Sequence, residues 1–241
     1  MPSDTLAGRI VLVTGASRGI GYAGALACAR RGATVIALAR TVSGLERLDD
    51  EIRAIDGKAV LIPADLTQEE ALGRLPAALE QRFGRIDGLI LNAGVLGPLT
   101  PITEVGGDAW HHTLTVNLHA NLALLKLLHP LLAASDAGRV AAVTSRAGRV
   151  FRPFWGPYAV SKAALDALVQ TYAAEQANSA IRTNLLDPGP TATDMRAEAM
   201  PGEDPETITP PEEVGERLAD LMEPGERRNS EMVIVPRRDG T

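Results

Sequence analysis

A tyrosine and a lysine, Tyr158 and Lys162, carry the side chains best suited to proton transfer in this sequence. Residues at i and i+4 share one face of a helix, so a phenol and an ammonium would be neighbours there. A nearby cation favours the ionised phenol, whose ordinary pKa is about 10. Bringing that pKa to neutrality takes roughly 4 kcal/mol, more than one partly solvated lysine supplies, so a second positive charge would have to contribute. The pair predicts an acid/base device, although its spacing by itself is common by chance.

The composition indicates one α/β domain with a small-molecule partner. The 241 residues can bury one large core and show no linker, so we expect a single domain over residues 1–241. A formal net charge of -6 without a basic stripe argues against nucleic acid and acidic membranes as partners. The sequence shows neither a signal peptide nor a membrane span. Its single cysteine, Cys28, sits in an apolar helical pattern as a small buried side chain, which suits a cytoplasmic location.

Short apolar runs alternate with helical patterns along the chain. Strands are predicted over residues 10–13, 34–39, 59–62, 88–91, 140–144, 181–186 and 232–235. Helices are predicted over residues 20–31, 43–55, 69–82, 108–134, 158–178 and 211–221. Such alternation builds a parallel sheet with helices on both faces. Residues 187–210, rich in Pro, Thr and Glu, are predicted to form a mobile loop of the kind that often makes a lid.

A glycine-rich turn, Thr14-Gly15-Ala16-Ser17-Arg18-Gly19-Ile20-Gly21, follows the first predicted strand and opens the first helix. Glycines there let the backbone approach a pyrophosphate, while free N–H groups and the helix dipole favour its charge. The spacing differs from the fingerprint with glycines at first, third and sixth places, and a tight turn without a ligand is the alternative. The position of the turn in the chain favours the ligand.

The end of the second predicted strand bears on which nicotinamide cofactor fits. An acidic residue there would bond the ribose 2'-hydroxyl, but this chain has Arg40 instead. Arg40 and Arg18 could both face a 2'-phosphate, so we predict NADP in preference to NAD, against the alternative of two solvated surface arginines. Asp65, just past the third strand, could either cap the turn that it forms with Leu66 and Thr67 or contact the adenine.

Taken in order along the chain, these motifs resemble the short-chain dehydrogenase/reductase family over nearly the whole length. The resemblance rests on residues 14–21, Asn92-Ala93-Gly94, Asn117, Ser145 and the Tyr158-x-x-x-Lys162 pair. It implies a single-domain Rossmann fold, α/β, with a doubly wound seven-stranded parallel sheet and helices on both faces. It also implies Ser145, Tyr158 and Lys162 as the catalytic set, with Asn117 completing a proton relay.

The same resemblance implies the cofactor contacts. Asn92-Ala93-Gly94 would shape the cofactor floor, and the Thr191 backbone and Thr193 hydroxyl would hold the nicotinamide carboxamide. Thr191 stands where family members often have a branched aliphatic residue. The predicted cofactor contacts are Gly15, Ser17, Arg18, Gly19, Ile20, Gly21, Arg40, Asp65, Leu66, Asn92, Ala93, Gly94, Tyr158, Lys162, Pro188, Gly189, Thr191 and Thr193, and no metal ligand is predicted.

The implied reaction is hydride transfer between the nicotinamide C4 and a carbonyl or secondary alcohol carbon. Ser145 would bond the carbonyl oxygen and Tyr158 would deliver the proton. Lys162 would lower the tyrosine pKa and bind the ribose, and Asn117 would hold a water that links Lys162 to solvent. Taken separately, Ser145 could merely end a strand, Asn117 could be satisfied locally, and Asn92 could shape a turn. Their joint order favours the catalytic interpretation.

The substrate is not identified by the sequence. Between Ser145 and Tyr158, the arginines at 146, 149 and 152 could recognise a carboxylate or be solvated. Phe154 or Trp155 could line an apolar wall. A substrate loop is expected around residues 188–210.

The leucine-rich segment 108–134, together with the helix after Tyr158, predicts a homodimer or homotetramer. The alternative is a central helix buried in its own subunit, with Pro130 bending or ending it.

Two other classes compete with the reductase hypothesis. A non-catalytic NADP-binding redox sensor or scaffold need not keep Ser145, Tyr158 and Lys162 together. A sugar-nucleotide epimerase or dehydratase usually carries a substantial C-terminal domain, whereas only residues 236–241 follow the last predicted strand.

Overall fold

A computed structural model describes residues 4–236, and its centre is one sheet of seven parallel strands in the order β3-β2-β1-β4-β5-β6-β7. The reversal of direction lies between β1 and β4, where the order leaves the first three strands and continues with the last four. Ligands of doubly wound sheets bind at the carboxyl ends of the strands beside such a reversal. The topology confirms the predicted Rossmann fold. The strands are β1 Ile10–Thr14, β2 Thr34–Ala39, β3 Lys58–Pro63, β4 Gly88–Leu91, β5 Arg139–Val143, β6 Arg182–Asp187 and β7 Met232–Ile234.

Helices cover both faces of this sheet. In β1, Val11 and Val13 pack into one apolar core, and Ile10 and Leu12 pack into the other. Helices α1, α2 and α9 close the first core, and α3, α4, α6 and α7 close the second. The central strands are therefore continuous apolar runs. The helices are α1 Gly19–Arg30, α2 Val42–Arg53, α3 Glu69–Gly73, α4 Leu75–Phe83, α5 Gly107–Leu114, α6 Ala120–Ala133, α7 Gly156–Glu175, α8 Asp194–Ala199 and α9 Pro211–Met222.

Two of the predicted helices are not continuous α-helices. The prediction over residues 69–82 is wrong at Arg74, which separates α3 from α4, and proline lies in the first turn of α4 where its missing N–H costs little. The helix predicted over residues 108–134 is divided by a π-helical turn, Thr115–His119, which lies between α5 and α6. Pro130 does not end α6, which continues to Ala133.

The segment predicted as a loop over residues 187–210 is partly helical. It contains α8 and a 3-10 turn, Pro205–Thr207. The hydroxyl of Thr193 accepts the backbone N–H of Arg196 at 3.3 Å and so caps α8, and Arg196 forms an ion pair with Glu203 inside the segment. The sequence does contain a signal for this helix, namely a threonine in the capping position followed by an acidic residue, Asp194, in the first turn.

The leucines of α6 serve mainly the core of their own subunit. Buried leucines on this helix are Leu124, Leu125, Leu128, Leu131 and Leu132. The leucine excess by itself therefore does not indicate a partner, and only Leu122 is an exposed leucine among the described residues of this helix. Within residues 4–236, no helix combines the length and apolar character needed to cross a bilayer. The first three residues and the tail over residues 237–241, on which the argument against an epimerase drew, lie outside the described residues.

Candidate functional site

The glycine-rich turn between β1 and α1 is fixed to strand β4 by Thr14 and Asn92. The Thr14 hydroxyl accepts the backbone N–H of Asn92 at 2.9 Å and that of Ala93 at 3.0 Å. The Asn92 amide donates in return to the carbonyl of Thr14 at 2.9 Å. Asn92 thus shapes the turn, which is one of the two roles that the sequence left open for it. It also lies on the wall of the adjoining cleft.

Glycine is required at this turn for conformation and for space. Gly15 and Gly19 have φ of 67° and 57°, in the left-handed region that favours glycine. A Cβ at Gly21 would lie 2.3 Å from Asn92 Nδ2 and 2.4 Å from the Gly15 carbonyl oxygen. Gly19 and Gly21 place no side chain beside the first N–H groups of α1, which makes a cradle that fits a pyrophosphate.

A cleft of about 640 Å³ runs along the carboxyl ends of the strands from this turn to Tyr158 and Lys162. Three predicted cofactor contacts, Gly21, Gly189 and Thr191, do not line it. The predicted contacts that do line it are Gly15, Ser17, Arg18, Gly19, Ile20, Arg40, Asp65, Leu66, Asn92, Ala93, Gly94, Tyr158, Lys162, Pro188 and Thr193. The structure therefore brings most of the sequence-predicted set onto one surface.

Two arginines flank the end of the cleft beside β2. The side chains of Arg40 and Arg18 are 57% and 74% exposed, so both guanidinium groups can be reached from solvent. Arg40 Nη1 lies 4.0 Å from Asp65 Oδ2, and Arg18 Nη1 lies 3.4 Å from Asp194 Oδ2. These pairings are loose, so both arginines remain available to a phosphate.

Arg47 is a basic residue of the cleft that the sequence predictions missed. It lies on α2, and its guanidinium stacks 5.2 Å from the centre of the Tyr22 ring. The sequence could have indicated this residue, because Arg47 is a further arginine on the helix that follows Arg40. The cleft thus has three cations near the end of β2.

Asp65 caps a turn. Its Oδ1 accepts the backbone N–H and the hydroxyl of Thr67, both at 2.9 Å. The backbone hydrogen bond from Thr67 is the largest factor that lowers the Asp65 pKa, and the charge of Arg40 acts in the same direction. Of the two roles that the sequence left open for Asp65, capping is observed, and its second oxygen still faces Arg40.

Tyr158 lies in the first turn of α7 and is buried. Burial raises the pKa of Tyr158 to about 12, the Ser145 side chain lowers it by hydrogen bonding, and the charge of Asp187 raises it further. That Lys162 lowers the tyrosine pKa stays a prediction. In the chain by itself, desolvation outweighs any benefit from the ammonium, which lies 5.8 Å from the centre of the phenol ring.

Lys162 projects from the same helix face and is also buried. Its Nζ donates to the carbonyl oxygen of Val143 at 2.8 Å. Burial lowers the pKa of Lys162 to about 8, although the charges of Asp166 and Asp187 raise it. A lysine so placed can exchange a proton near neutral pH.

Asn117 is placed in the π-helical turn, and its side chain is fully engaged. Its Oδ1 accepts the backbone N–H of Val95 at 2.8 Å, and its Nδ2 donates to the Val95 carbonyl and to the Ser161 hydroxyl, both at 2.9 Å. A Cβ at Gly94 would lie 3.3 Å from Asn117 Oδ1 and 3.8 Å from Lys162 Nζ, so these groups adjoin one another. The Asn117 side chain is a clamp between the π turn and the segment after β4.

The two threonines after β6 differ in what they can offer a ligand. Thr191 is buried, and its hydroxyl donates to the carbonyls of Pro188 at 3.2 Å and Gly189 at 3.3 Å. Thr193 lines the cleft beside Gly19 while it caps α8. Any contact from Thr191 to a ligand would therefore have to come from its backbone.

The three arginines between Ser145 and Tyr158 are not equivalent. Arg149 forms ion pairs with Asp166 and Asp187, so it is not free to bind a substrate carboxylate in this conformation. Arg146 and Arg152 are exposed. Trp155 packs edge-on against the Tyr158 ring at 5.9 Å between centroids, as an apolar wall would.

Two other features of the described residues bear on chemistry. Burial raises the pKa of Cys28 to about 12, so this thiol is an inert core side chain, as predicted. Over residues 4–236, no group of three or more His, Cys, Asp and Glu side chains could hold a metal ion.

Comparisons with known proteins agree with this geometry. Residues 9–204 match the family described as short chain dehydrogenase. The uncharacterised oxidoreductase YciK of Escherichia coli is 37% identical over 234 residues, which cover 96% of this chain and 92% of YciK.

Solved structures share the whole fold. A short chain dehydrogenase of Salmonella enterica serovar Typhi has a TM-score of 0.92 at 36% identity, over 96% of this chain and 97% of that one. A Shigella flexneri chain crystallised in complex with NADP has a TM-score of 0.90 at 35% identity, over 96% of this chain and 98% of that one.

Proposed function

The chain belongs to the short-chain dehydrogenase family of oxidoreductases, and from this membership we propose that it transfers hydride between NADP(H) and a carbonyl or secondary alcohol. The observation that carries the proposal is the continuous cleft that joins the glycine-rich turn to Tyr158 and Lys162. A nucleotide held at the turn would extend toward a buried acid/base pair. The bound nicotinamide would supply or accept the hydride.

Tyr158 acts as the general acid in reduction and as the general base in oxidation. Its raised pKa keeps the phenol protonated in the chain alone, which suits proton donation to a carbonyl oxygen. Oxidation requires the phenolate, so additional positive charge near the ring is needed in that direction. Lys162 supplies one such charge when protonated.

Ser145 and Lys162 prepare the site for Tyr158. The Ser145 side chain interacts with the Tyr158 hydroxyl, so both groups can reach one carbonyl oxygen, where negative charge develops. Lys162, with a pKa of about 8, can return a proton to the tyrosine and bind the ribose. Asn117 holds the π turn against the segment after β4. We propose that it also holds a water that links Lys162 to solvent, so that the proton can be replaced.

NADP is the proposed cofactor, with NAD as a weaker alternative. Arg18 and Arg40 are exposed at the end of the cleft beside β2, and Arg47 adds a third cation. Guanidinium groups bind phosphate in a geometry that suits the 2'-phosphate of NADP. The complex of the Shigella flexneri relative with NADP supports the same choice.

The proposal is tested by a substrate panel of ketones, aldehydes, 3-oxoacyl thioesters and secondary alcohols with both cofactors. Turnover is followed by the nicotinamide absorbance. In the parent enzyme at least one substrate is expected to turn over. Binding of NADP without turnover anywhere in the panel would favour the alternative of a redox sensor or scaffold.

Two variants separate the roles of the acid/base pair. Tyr158→Phe removes only the hydroxyl, so turnover should fall about a hundredfold to ten-thousandfold while cofactor affinity is kept. Lys162→Ala should lose turnover and also weaken cofactor binding. If Tyr158→Phe keeps more than about a tenth of parental turnover with chemistry rate-limiting, another group donates the proton.

We further propose that the chain works as one domain in the cytoplasm and assembles as a homodimer or homotetramer. The single cysteine, Cys28, is a buried free thiol, which supports a cytoplasmic location. Exposed apolar side chains on α6 and α7, Leu122 and Val160, support assembly through these helices.

A further inference from the structure

We propose that Arg149 is a positioning residue, which balances the charges of Asp166 and Asp187 behind the active site and so controls how readily Tyr158 ionises. This inference rests on the proposed function, in which Tyr158 moves the proton. It extends that function to a residue that cannot itself reach the substrate while it holds both carboxylates.

Arg149 bridges two carboxylates that arrive from different elements. Its Nη1 donates to Asp166 Oδ2 on α7 at 2.8 Å, and its Nη2 donates to Asp187 Oδ2 at the end of β6. The carboxylate-bearing side chains are 11% and 6% exposed, whereas Arg149 is 33% exposed and covers them from the solvent side. Two nearly buried anions therefore share one cation.

The remaining carboxylate oxygens bind the machinery on either side. Asp166 Oδ1 accepts the hydroxyl of Thr144, the residue directly before Ser145. Asp187 Oδ1 accepts the backbone N–H of Gly189 at 3.2 Å, in the segment that leads to Thr193. The cluster thus connects the catalytic serine, the tyrosine helix and the segment after β6.

The two carboxylates act on the acid/base pair. Both raise the pKa of Lys162, and Asp187 also raises that of Tyr158. When Lys162 is protonated, Arg149 and Lys162 together match the charges of Asp166 and Asp187. Without the guanidinium, one negative charge would be left uncompensated close to the phenol, and negative charge opposes phenolate formation.

Other charged side chains lie on the elements that pack on α7. Charged or titratable side chains on these elements, within the described residues, are Arg146 on a second 3-10 turn, Arg146–Gly148, Arg182 on β6, Asp108, His111 and His112 on α5, His119 on the π turn, and Lys126 and His129 on α6, where His129 contacts Tyr172 of α7. Among the influences on the Tyr158 pKa, Asp187 is the charged one, after burial and the Ser145 hydrogen bond. Variants of the cluster are therefore expected to move the Tyr158 titration, with a sign set by the charge removed.

The experiment measures Tyr158 ionisation directly and needs no substrate. The chain has 3 tyrosines, so protein carrying ¹³C at the tyrosine ring Cζ gives a simple spectrum, in which Tyr158→Phe assigns the resonance. The titration is followed with oxidised NADP bound. In Arg149→Met, the phenolate fraction at a fixed pH below the midpoint should fall about threefold to tenfold, since one pKa unit is a tenfold change.

Opposite charge changes must give opposite shifts. Asp187→Asn keeps the acceptor for Gly189 and removes a negative charge, so its phenolate fraction should rise. The double variant Arg149→Met/Asp187→Asn should return toward the parent value, and Arg149→Lys should lie between parent and Arg149→Met. A purely structural clamp would give shifts of the same sign, or none, in both single variants, and that result would overturn the proposal.

Arg31→Met is the matched control. Arg31 also holds several carboxylates, Glu216, Asp220 and Glu223, but it does so between α1 and α9, away from the cleft. It should lose thermal stability as Arg149→Met does, yet leave the Tyr158 titration unchanged; an equal shift in this control would refute the local charge effect. If the titrations behave as expected but no substrate turns over, the proposed function fails and the charge balance stands. If a substrate turns over and the pH dependence of its turnover is the same in the parent and in the Arg149 variants, the proposed role of Arg149 is refuted while the proposed function stands.

Discussion

Burial shifts the pKa values of Tyr158 and Lys162 in the directions that disfavour the charged form of each side chain. The pKa of Tyr158 is raised to about 12 and that of Lys162 is lowered to about 8, although the two side chains share a helix face. That the two side chains share a helix face could be predicted from the sequence, because it depends only on their spacing within one helix. The pKa directions could not, since they depend on how closely α7, β5 and β6 pack around the pair.

Lys162→Met should stabilise the fold at neutral pH while it removes activity. Lysine has a lower pKa in the folded chain than its ordinary value of 10.5, so the unfolded chain binds more protons between about pH 8 and 10.5 and stability rises with pH there. Replacing the buried ammonium should therefore gain of the order of 2 kcal/mol below pH 8, after the lost Val143 hydrogen bond is subtracted.

The measurement is urea unfolding of parent and Lys162→Met at pH 7 and pH 10. The gain should shrink at the higher pH, because the parent lysine is then neutral in the folded state. The exposed Lys126→Met on α6 provides the control and should change stability little at either pH. A Lys162→Met variant that is less stable than the parent at pH 7 would contradict the cost assigned to burial.

Arg40→Ala should narrow the preference for NADP over NAD by about tenfold to a hundredfold, because a charge-assisted contact to phosphate contributes about 1.5–3 kcal/mol. Calorimetric titration with both cofactors measures the difference. Arg53→Ala is the control, since Arg53 pairs with Asp49 on α2 and does not line the cleft. NAD binding that equals or exceeds NADP binding in the parent would refute the assignment.

At the scale of elements, the type of each strand and helix was easier to predict from the sequence than the breaks and irregular turns within a helix. Apolar runs and helical patterns located every strand within a residue or two. The break at Arg74 had a local signal that the prediction missed, since Gly73 ends α3 and a proline lies in the first turn of α4. The π turn at Thr115–His119 has no comparable local signal. In the π turn, the side chain of Asn117 bonds Val95, a residue far along the chain from the turn.

Gly84→Ala and Gly73→Ala, at the ends of α4 and α3, should change stability in opposite directions. Both positions have open space for a Cβ, but only Gly84 has a left-handed φ, of 73°. Alanine at Gly84 should cost about 1 kcal/mol from backbone conformation alone. Alanine at Gly73 should gain about 0.4–1 kcal/mol by restricting the unfolded chain.

Urea unfolding of the two variants compares them directly, and each serves as the control for the other. Equal effects of the two substitutions would show that the conformation at Gly84 differs from the one described.

For the whole molecule, the fold could be predicted because its determinants repeat along the chain. Strands such as β1 contribute side chains to both cores, while α1, α2 and α9 close one core and α3, α4, α6 and α7 close the other. The alternation of strand and helix recurs along the chain from β1 to β7. The leucine-rich segment 108–134 was harder to interpret, because burial against the sheet and burial against a partner demand the same residue types. The structure assigns most of those leucines to the subunit core, so assembly has to be tested on the residues left exposed.

Leu122 on α6 and Val160 on α7 are 41% and 42% exposed, and they are the side chains on which the proposed assembly depends. Light scattering of the parent at micromolar concentration should give the mass of a dimer or a tetramer. Leu122→Glu/Val160→Glu should lower that mass, because buried unpaired carboxylates are costly at an interface. Ile55→Glu is the matched control, since Ile55 is also 42% exposed but lies beyond α2. A monomeric parent, or equal dissociation by Ile55→Glu, would show that these two helices do not form the interface.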